Sequence, residues 1–362
     1  MLYKKQLLFI YLLFSSIISA CSEPTTEIKN PFQTYEKTPL DKQTLERYQK
    51  RSIDKQQSSS IIAKIKQAQV QAKQQDGGFS YQDLSYNESK KTIEINQLAL
   101  EPEALQALQY MPQEDFDNIK NIQIKWFDSQ NEIPHFIHAS MADSFTPKNT
   151  FLATQDGKNY QSFFQKLKAD GSSLNNLADF AYEYNEKQGE IKFALNDNFH
   201  QLFDSRLVIK IDGISKTMLD MLSGNDDKVA DPSLFLGMLS GIRVQEVYLK
   251  MKMERTIDEI FNALPKAEAQ QARQEYNQSK QLSEEKMKKM AGKAFSLEQL
   301  QTYQQSWFNF LEQKQAIIIS MHPDVPQALP TFFTAFMMGQ NNPKILANLF
   351  KQLNLKISNQ DI

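Results

Sequence analysis

Residues 79–100 read FSYQDLSYNESKKTIEINQLAL, and their pattern decides the fold class. Phe79, Tyr81, Leu84 and Tyr86 are the apolar positions of the first run. After a turn over Asn87 to Lys90, Ile93, Ile95, Leu98 and Leu100 are those of the second. A period of two puts one face of a strand on a core and the other in water. Each run slips by one residue part-way, which predicts a β-bulge in each strand. The stretch reads as a β-hairpin in an antiparallel sheet with one covered face.

The same grammar extends along the chain. Ile119 to Trp126 and Pro134 to Ala142 read as strands. Leu177–Asn185, Glu190–Asn196 and Arg206–Ile211 read as a meander with a turn at Lys187-Gln188-Gly189. Gly241 opens a further strand, in which Val247, Leu249, Met251 and Met253 are expected inside and Tyr248, Lys250, Lys252 and Glu254 outside. Ala316 to Met321 and Leu353 to Ile357 complete the set, the last closing an edge.

Helices fall between these runs. Ser58-Ser59-Ser60 predicts a cap for a helix over Ile61 to Gln75. Pro102 opens a short helix to Tyr110, and Asn159 to Lys168, Lys216 to Leu222 and Pro232 to Leu239 are helical stretches. Thr256-Ile257-Asp258-Glu259 and Ser296-Leu297-Glu298-Gln299 are capping boxes. Pro265 splits the first helical region, and Ala267 to Lys289 is polar enough to be largely solvated. Thr331 to Met338 and Lys344 to Phe350 are the last helices. The fold class is α+β: a largely antiparallel sheet with packed helices.

The first 21 residues are of another kind. Lys4 and Lys5 precede an uncharged apolar run from Gln6 to Ala20, which ends in Ile18-Ser19-Ala20-Cys21. A basic start, an apolar middle and small residues at a cut make a signal peptide. The apolar run is about fifteen residues, short of the roughly twenty that span a bilayer. These residues resemble the lipobox of bacterial lipoprotein precursors. That resemblance implies cleavage before Cys21, acylation of its thiol and new amine, and anchoring in the cell envelope facing the periplasm. Ser22, where an Asp would retain the protein at the inner membrane, implies the outer membrane. Residues 1–20 are then a signal peptide, 21–60 a lipidated flexible tether with three prolines, and 61–362 one α+β globular domain with a largely solvated helical segment near 256–314.

Two stretches, Phe79 to Leu100 and Ala316 to Ser358, resemble AsmA-like and YdgA-like envelope proteins, which repeat such hairpins on long curved sheets. That resemblance implies an extended, curved sheet in the envelope and a non-enzymatic role, with lipid handling among the options. The lipobox and the helical insertion depart from that family pattern, and no catalytic residue carries over.

Composition narrows the chemistry. The chain has 362 residues, 41 basic and 43 acidic side chains. Without Lys4 and Lys5 the basic count is 39, so there is no positive excess to hold nucleic acid. Cys21 is the only cysteine, and its acylation leaves no thiol for disulfides, thiolate catalysis or metal binding. His135 and His138 are the one close histidine pair, but on a strand their odd spacing sends them to opposite faces, and no metal or other cofactor is expected. His200 and His322 read as isolated, and Asp226-Asp227 and Glu284-Glu285 as solvated charge. No Gly-x-Ser-x-Gly, His-Glu-x-x-His or Walker loop occurs.

The expected function is a non-catalytic envelope lipoprotein that binds a lipid, an acyl-like ligand or an envelope partner. Phe332, Phe333, Phe336 and Met337, apolar on all sides of one short helix, are the candidate ligand-binding residues. The alternatives are a hydrolase of envelope polymers, with two carboxylates from distant strands, and an interaction scaffold docking through Ala267 to Lys289.

Overall fold

The computed structural model describes residues 52–74, 79–100, 119–128, 131, 134–142, 149–167, 177–199, 202–222, 240–290, 292, 294–339 and 342–359. The signal peptide, Cys21, most of the tether, the helices expected at 102–110 and 232–239, His200 and Asp226-Asp227 lie outside them.

The fold is α+β, with twelve strands in one sheet. The strands are β1 (Phe79–Ser80), β2 (Asp83–Asn87), β3 (Thr92–Leu100), β4 (Ile119–Phe127), β5 (Phe136–Ala142), β6 (Leu177–Asn185), β7 (Glu190–Phe199), β8 (Phe203–Asp212), β9 (Arg243–Met253), β10 (Ala316–Met321), β11 (Gln327–Ala328) and β12 (Lys356–Ser358). Their order is β1-β3-β4-β5-β6-β7-β8-β9-β10-β12, with β2 on β3 and β11 on β9. Neighbours in the sheet are mostly neighbours in the chain, as short hairpin connections dictate. Two compact units divide the chain, one holding described residues up to Ala181 and Leu195–Ser205, the other Tyr182–Ala194 and Arg206 onward.

In the first unit, β3 pairs β4 with Ile93 opposite Ile124 and Ile95 opposite Ile122. The two phase slips of the opening hairpin lie opposite each other. Pairing lapses between Ser80 and Asp83, across from Gln97 in the left-handed region (φ 54°), and the register is the same on both sides. Tyr81, Leu84, Tyr86 and Leu98 therefore all reach the core. Helix α1 (Lys55–Gln74) covers it. This helix starts six residues before the Ile61 expected from the serines. The Gln57 N–H donates to Asp54 Oδ1 at 2.7 Å and the Asp54 N–H to Gln57 Oε1 at 3.2 Å, a reciprocal cap that satisfies two free donors. Ser58, inside the helix, instead donates to the Lys55 carbonyl. Ile53 and Ile61 are wholly buried against Ile93, Ile95, Ile124 and Ala139, and Tyr86 Oη donates to the Ile53 carbonyl at 2.7 Å. Ordered packing thus reaches into the stretch read as tether. Helices α2 (Asn149–Leu152) and α3 (Gln155–Leu167) also belong to this unit, with Phe163 and Leu167 buried.

In the second unit, β9 pairs β10 with Met251 opposite Ile317 and Leu249 opposite Ile319, and β10 pairs β12. The single wet face expected for β9 is not found. Val244 and Glu246 are buried on one face and Met253 on the other, while residues 247–251 are half-buried. Opposite faces are covered at its two ends. Helix α4 (Lys216–Leu222) sends Met218 into a cluster with Tyr184, Ile214 and Ile242. Thr256 and Ser296 form the expected capping boxes of α5 (Ile257–Ala263) and α7 (Leu297–Gln313). Between them α6 (Lys266–Met290) is mostly exposed along its described side chains. It holds on through Ala269 and Tyr276, whose hydroxyl donates to Glu312 on α7. Helices α8 (Leu329–Gly339) and α9 (Pro343–Gln352) close a small core of Ala335, Leu349 and Leu353.

One end of this unit is a close backbone approach. Gly213 has φ 80°, and a Cβ on it would lie 1.9 Å from the Gly241 carbonyl oxygen. Only a residue without a side chain fits there.

Candidate functional site

The polar face of the first unit carries its most concentrated chemistry, and a bulge builds it. Along β4 and β5, Gln123 lies opposite Ser140 and Ile124 opposite Ala139; the next pair is Trp126 with His138. Lys125 is therefore the extra residue. Simple alternation would send Trp126 to the core beside Ile122 and Ile124. The bulge moves it to the other face, with His138, while Phe127 takes the core position. Bulges commonly re-aim a side chain in this way beside a site.

Phe136, buried on the same side of β5, meets the Trp126 ring with centroids 3.9 Å apart and planes tilted by 44°. Asp179 on β6 completes the group. Its neighbour Phe180 packs into the core, so Asp179 points to the polar face. Lys125 Nζ donates to Asp179 Oδ1 at 2.8 Å, and His138 Nε2 lies 3.2 and 3.1 Å from Oδ1 and Oδ2. The Asp179 residue is 7 % exposed. Burial pushes its carboxyl up, but the hydrogen bond and charge of His138, then those of Lys125, outweigh that and hold it below its ordinary value.

Asn196 lies on β7, the strand beside β6 in the sheet. Asn196 is buried, and its Nδ2 has no hydrogen-bond partner among the described residues. An unmet buried amide donor is costly and needs a reason.

The sequence-expected sites fare differently. Cys21 lies outside the described residues. Phe332, half-buried, packs against the Ala335, Leu349 and Leu353 core. Phe333, Phe336 and Met337 are on α8, and their side chains lie outside what is described. Met338, beside them, is 56 % exposed. The histidine pair is not brought together with further ligands: among the described residues no three His, Cys, Asp or Glu side chains could hold a metal ion. His135 precedes β5, and its N–H donates to Asp128 Oδ2. His322, read as isolated, puts Nδ1 3.1 Å from buried Glu246. Glu284 and Glu285 lie on α6, with side chains outside the described set.

Sequence reading misses Lys125, Trp126, Asp179 and Asn196. The available signal is the run Lys125-Trp126-Phe127, which breaks the alternation of β4.

No family model and no curated protein matches the chain. No helix among the described residues is long and apolar enough to cross a membrane.

Proposed function

We propose that the protein is a bacterial cell-envelope lipoprotein, held by acyl chains on Cys21, that binds an envelope component without catalysing a reaction. The observation that carries this is Ile18-Ser19-Ala20-Cys21 at the end of an uncharged apolar run with a basic start. Acylation at two or more points is enough for stable anchoring. The wide antiparallel sheet agrees with the resemblance to AsmA-like and YdgA-like proteins.

Mass spectrometry of the mature N-terminal peptide tests the anchor: it should begin at Cys21 and carry acyl chains. A Cys21→Ala variant should be an uncleaved precursor or a soluble periplasmic protein. A processed Cys21→Ala form that still sediments with membranes overturns the reading. Density separation of the envelope should place the wild type with the outer membrane, as Ser22 implies.

A second reading, that the ligand is an acyl chain, has one observation in its favour: exposed Met338 on a helix otherwise rich in Phe and Met. Lipid extracted from the purified soluble form would support it.

A further inference from the structure

We propose that the exposed face of α1 is a membrane-contact surface, which lies against anionic phospholipid headgroups and sets which side of the first unit meets the bilayer. This rests on the lipoprotein reading above and adds the surface on which the anchored protein sits.

Charge marks this helix out. Lys55–Gln74 holds four lysines and no acidic residue. Helix α6 is exposed too, yet its 25 residues mix six basic side chains with four acidic ones. Glu–Lys pairs one turn apart are the ordinary way to stabilise an exposed helix, and α1 has none. The excess continues towards the anchor. Residues 42–73 contain eight basic and two acidic side chains, whereas the remainder of the mature chain has 31 basic and 41 acidic. A positive segment on a negative protein, on the side of its lipid anchor, suits an anionic bilayer surface.

Packing leaves this charge in the open. Ile61, Ile62 and Ile65 turn to the core of the first unit. With 3.6 residues per turn, Lys55, Ser59, Lys66 and Val70 share a stripe away from that core, and all four are exposed. Lys55 and Lys66 stand about 16 Å apart along the axis. Lys55 reaches Glu88 at 3.9 Å with both side chains in water, a pair of little strength. Lys64, on the other flank, is tied to the Asn131 carbonyl at 2.7 Å. Val70 is 57 % exposed, one turn beyond Lys66. It gives the stripe an apolar side chain that can enter the headgroup layer.

Position names the occupant. Lys55 follows Cys21 by 34 residues, so acylation of Cys21 keeps α1 within about 120 Å of the bilayer. Within that reach a contact too weak to recruit a free protein is effective, because it forms within one anchored molecule. An acidic protein would also match the charge, but the bilayer is the anionic surface that the anchor guarantees.

The test uses the mature chain with Cys21→Ser, which removes the acyl anchor, and co-sedimentation with vesicles at millimolar lipid. Vesicles of equal parts phosphatidylglycerol and phosphatidylcholine should bind it at about 0.1 M salt, and phosphatidylcholine alone should not. Binding should vanish at about 1 M salt, where the Debye length is about 3 Å. Lys55→Gln with Lys66→Gln should weaken it about fivefold for each lysine. Lys55→Arg with Lys66→Arg should keep it, and Lys252→Gln, at an exposed lysine of the second unit, should leave it unchanged. In the Cys21→Ser background, Val70→Cys and Met338→Cys each supply a single thiol for an environment-sensitive fluorophore. The label at position 70 should shift to the blue on anionic vesicles, and that at position 338 should not. The proposal is overturned if anionic vesicles bind no more protein than neutral ones, or if the glutamine pair binds as the wild type does. A response of the label at position 338 without one at position 70 overturns it as well. Such a failure leaves the acylation of Cys21 untouched. Conversely, absent acylation with intact vesicle binding overturns the anchor alone.

Discussion

Asp179 and Glu246 are both buried carboxylates with a histidine nitrogen 3.1 Å away, one in each unit, yet they are pushed in opposite directions. Asp179 is held low, because His138 is itself mostly buried and Lys125 adds a permanent charge. Glu246 is held high: burial raises it, and His322, 67 % exposed, does not make up the difference. A histidine out in water is a screened partner, while a shielded one acts at nearly full strength. The lesson is that partner and distance alone do not set a carboxylate's state. The balance between its own burial and all the donors that reach it does, and only the packed sheet determines that.

The largest expected effect strikes the second unit alone. Gly213→Ala would drive a Cβ into the Gly241 carbonyl just before β9, the strand that carries Glu246. The cost should be about 3 kcal/mol or more, as for a side chain forced into left-handed backbone with a backbone clash. Urea unfolding followed at Trp307 should shift strongly. An unchanged midpoint would mean that the close approach is not needed.

Next comes Asp179→Asn, which removes a charge that two donors address. A loss of about 2 kcal/mol at neutral pH is expected, the usual cost of leaving a charged hydrogen-bonded group short of its partner. The sign with pH follows from the depressed folded value. Its stabilisation is present above the ordinary carboxyl value of 3.8 and is lost as pH falls through the lower folded one. The wild type should therefore lose stability over that acid window, and Asp179→Asn should not show this component. Parallel acid limbs for the two proteins would break the comparison.

Glu246→Gln should do the reverse, with a smaller effect. Its folded value is raised, so its contribution is present below the ordinary value of 4.5 and is lost as pH rises through the folded one. The glutamine copies the neutral form and should match or exceed wild-type stability at neutral pH, by under about 1 kcal/mol. A clear loss at pH 7 would show that the charged form is the favoured one.

Smallest is Thr256→Ala, which removes the cap of α5 at the end of β9. About 1 kcal/mol is expected from the loss of its bond to the Glu259 N–H. Lys314 also holds Glu259 on that cap, so the loss should lie at the lower end of the usual range if Lys314 alone keeps the carboxylate in place.

Much of this fold is legible in the amino-acid sequence. The alternation in residues 79–100 places a hairpin and both phase slips, and Thr256 and Ser296 name two helix starts, because these signals act between residues close in the chain. The start of α1 is less plain. Ser58-Ser59-Ser60 looks like a cap, but the Asp54–Gln57 pair satisfies the free N–H groups earlier, and Ile53 is pulled in by Ile93 and Ile95. The candidate site is not legible in the same way. Phe332 stands out by composition and packs half-buried against a core cluster, whereas Trp126 passes as one more strand residue until the register shows the bulge beside it.

The sequence by itself determined the α+β class and the caps at Thr256 and Ser296, since periodicity and capping are local. Only the tertiary structure decided that Trp126 faces away from the core, that Asp179 meets Lys125 and His138, and that Asn196 is buried with an unmet donor. Those facts depend on which strands pair and in what register, over separations of 41 and 54 residues. One extra residue at Lys125 is enough to turn every later side chain of β4 to the other face.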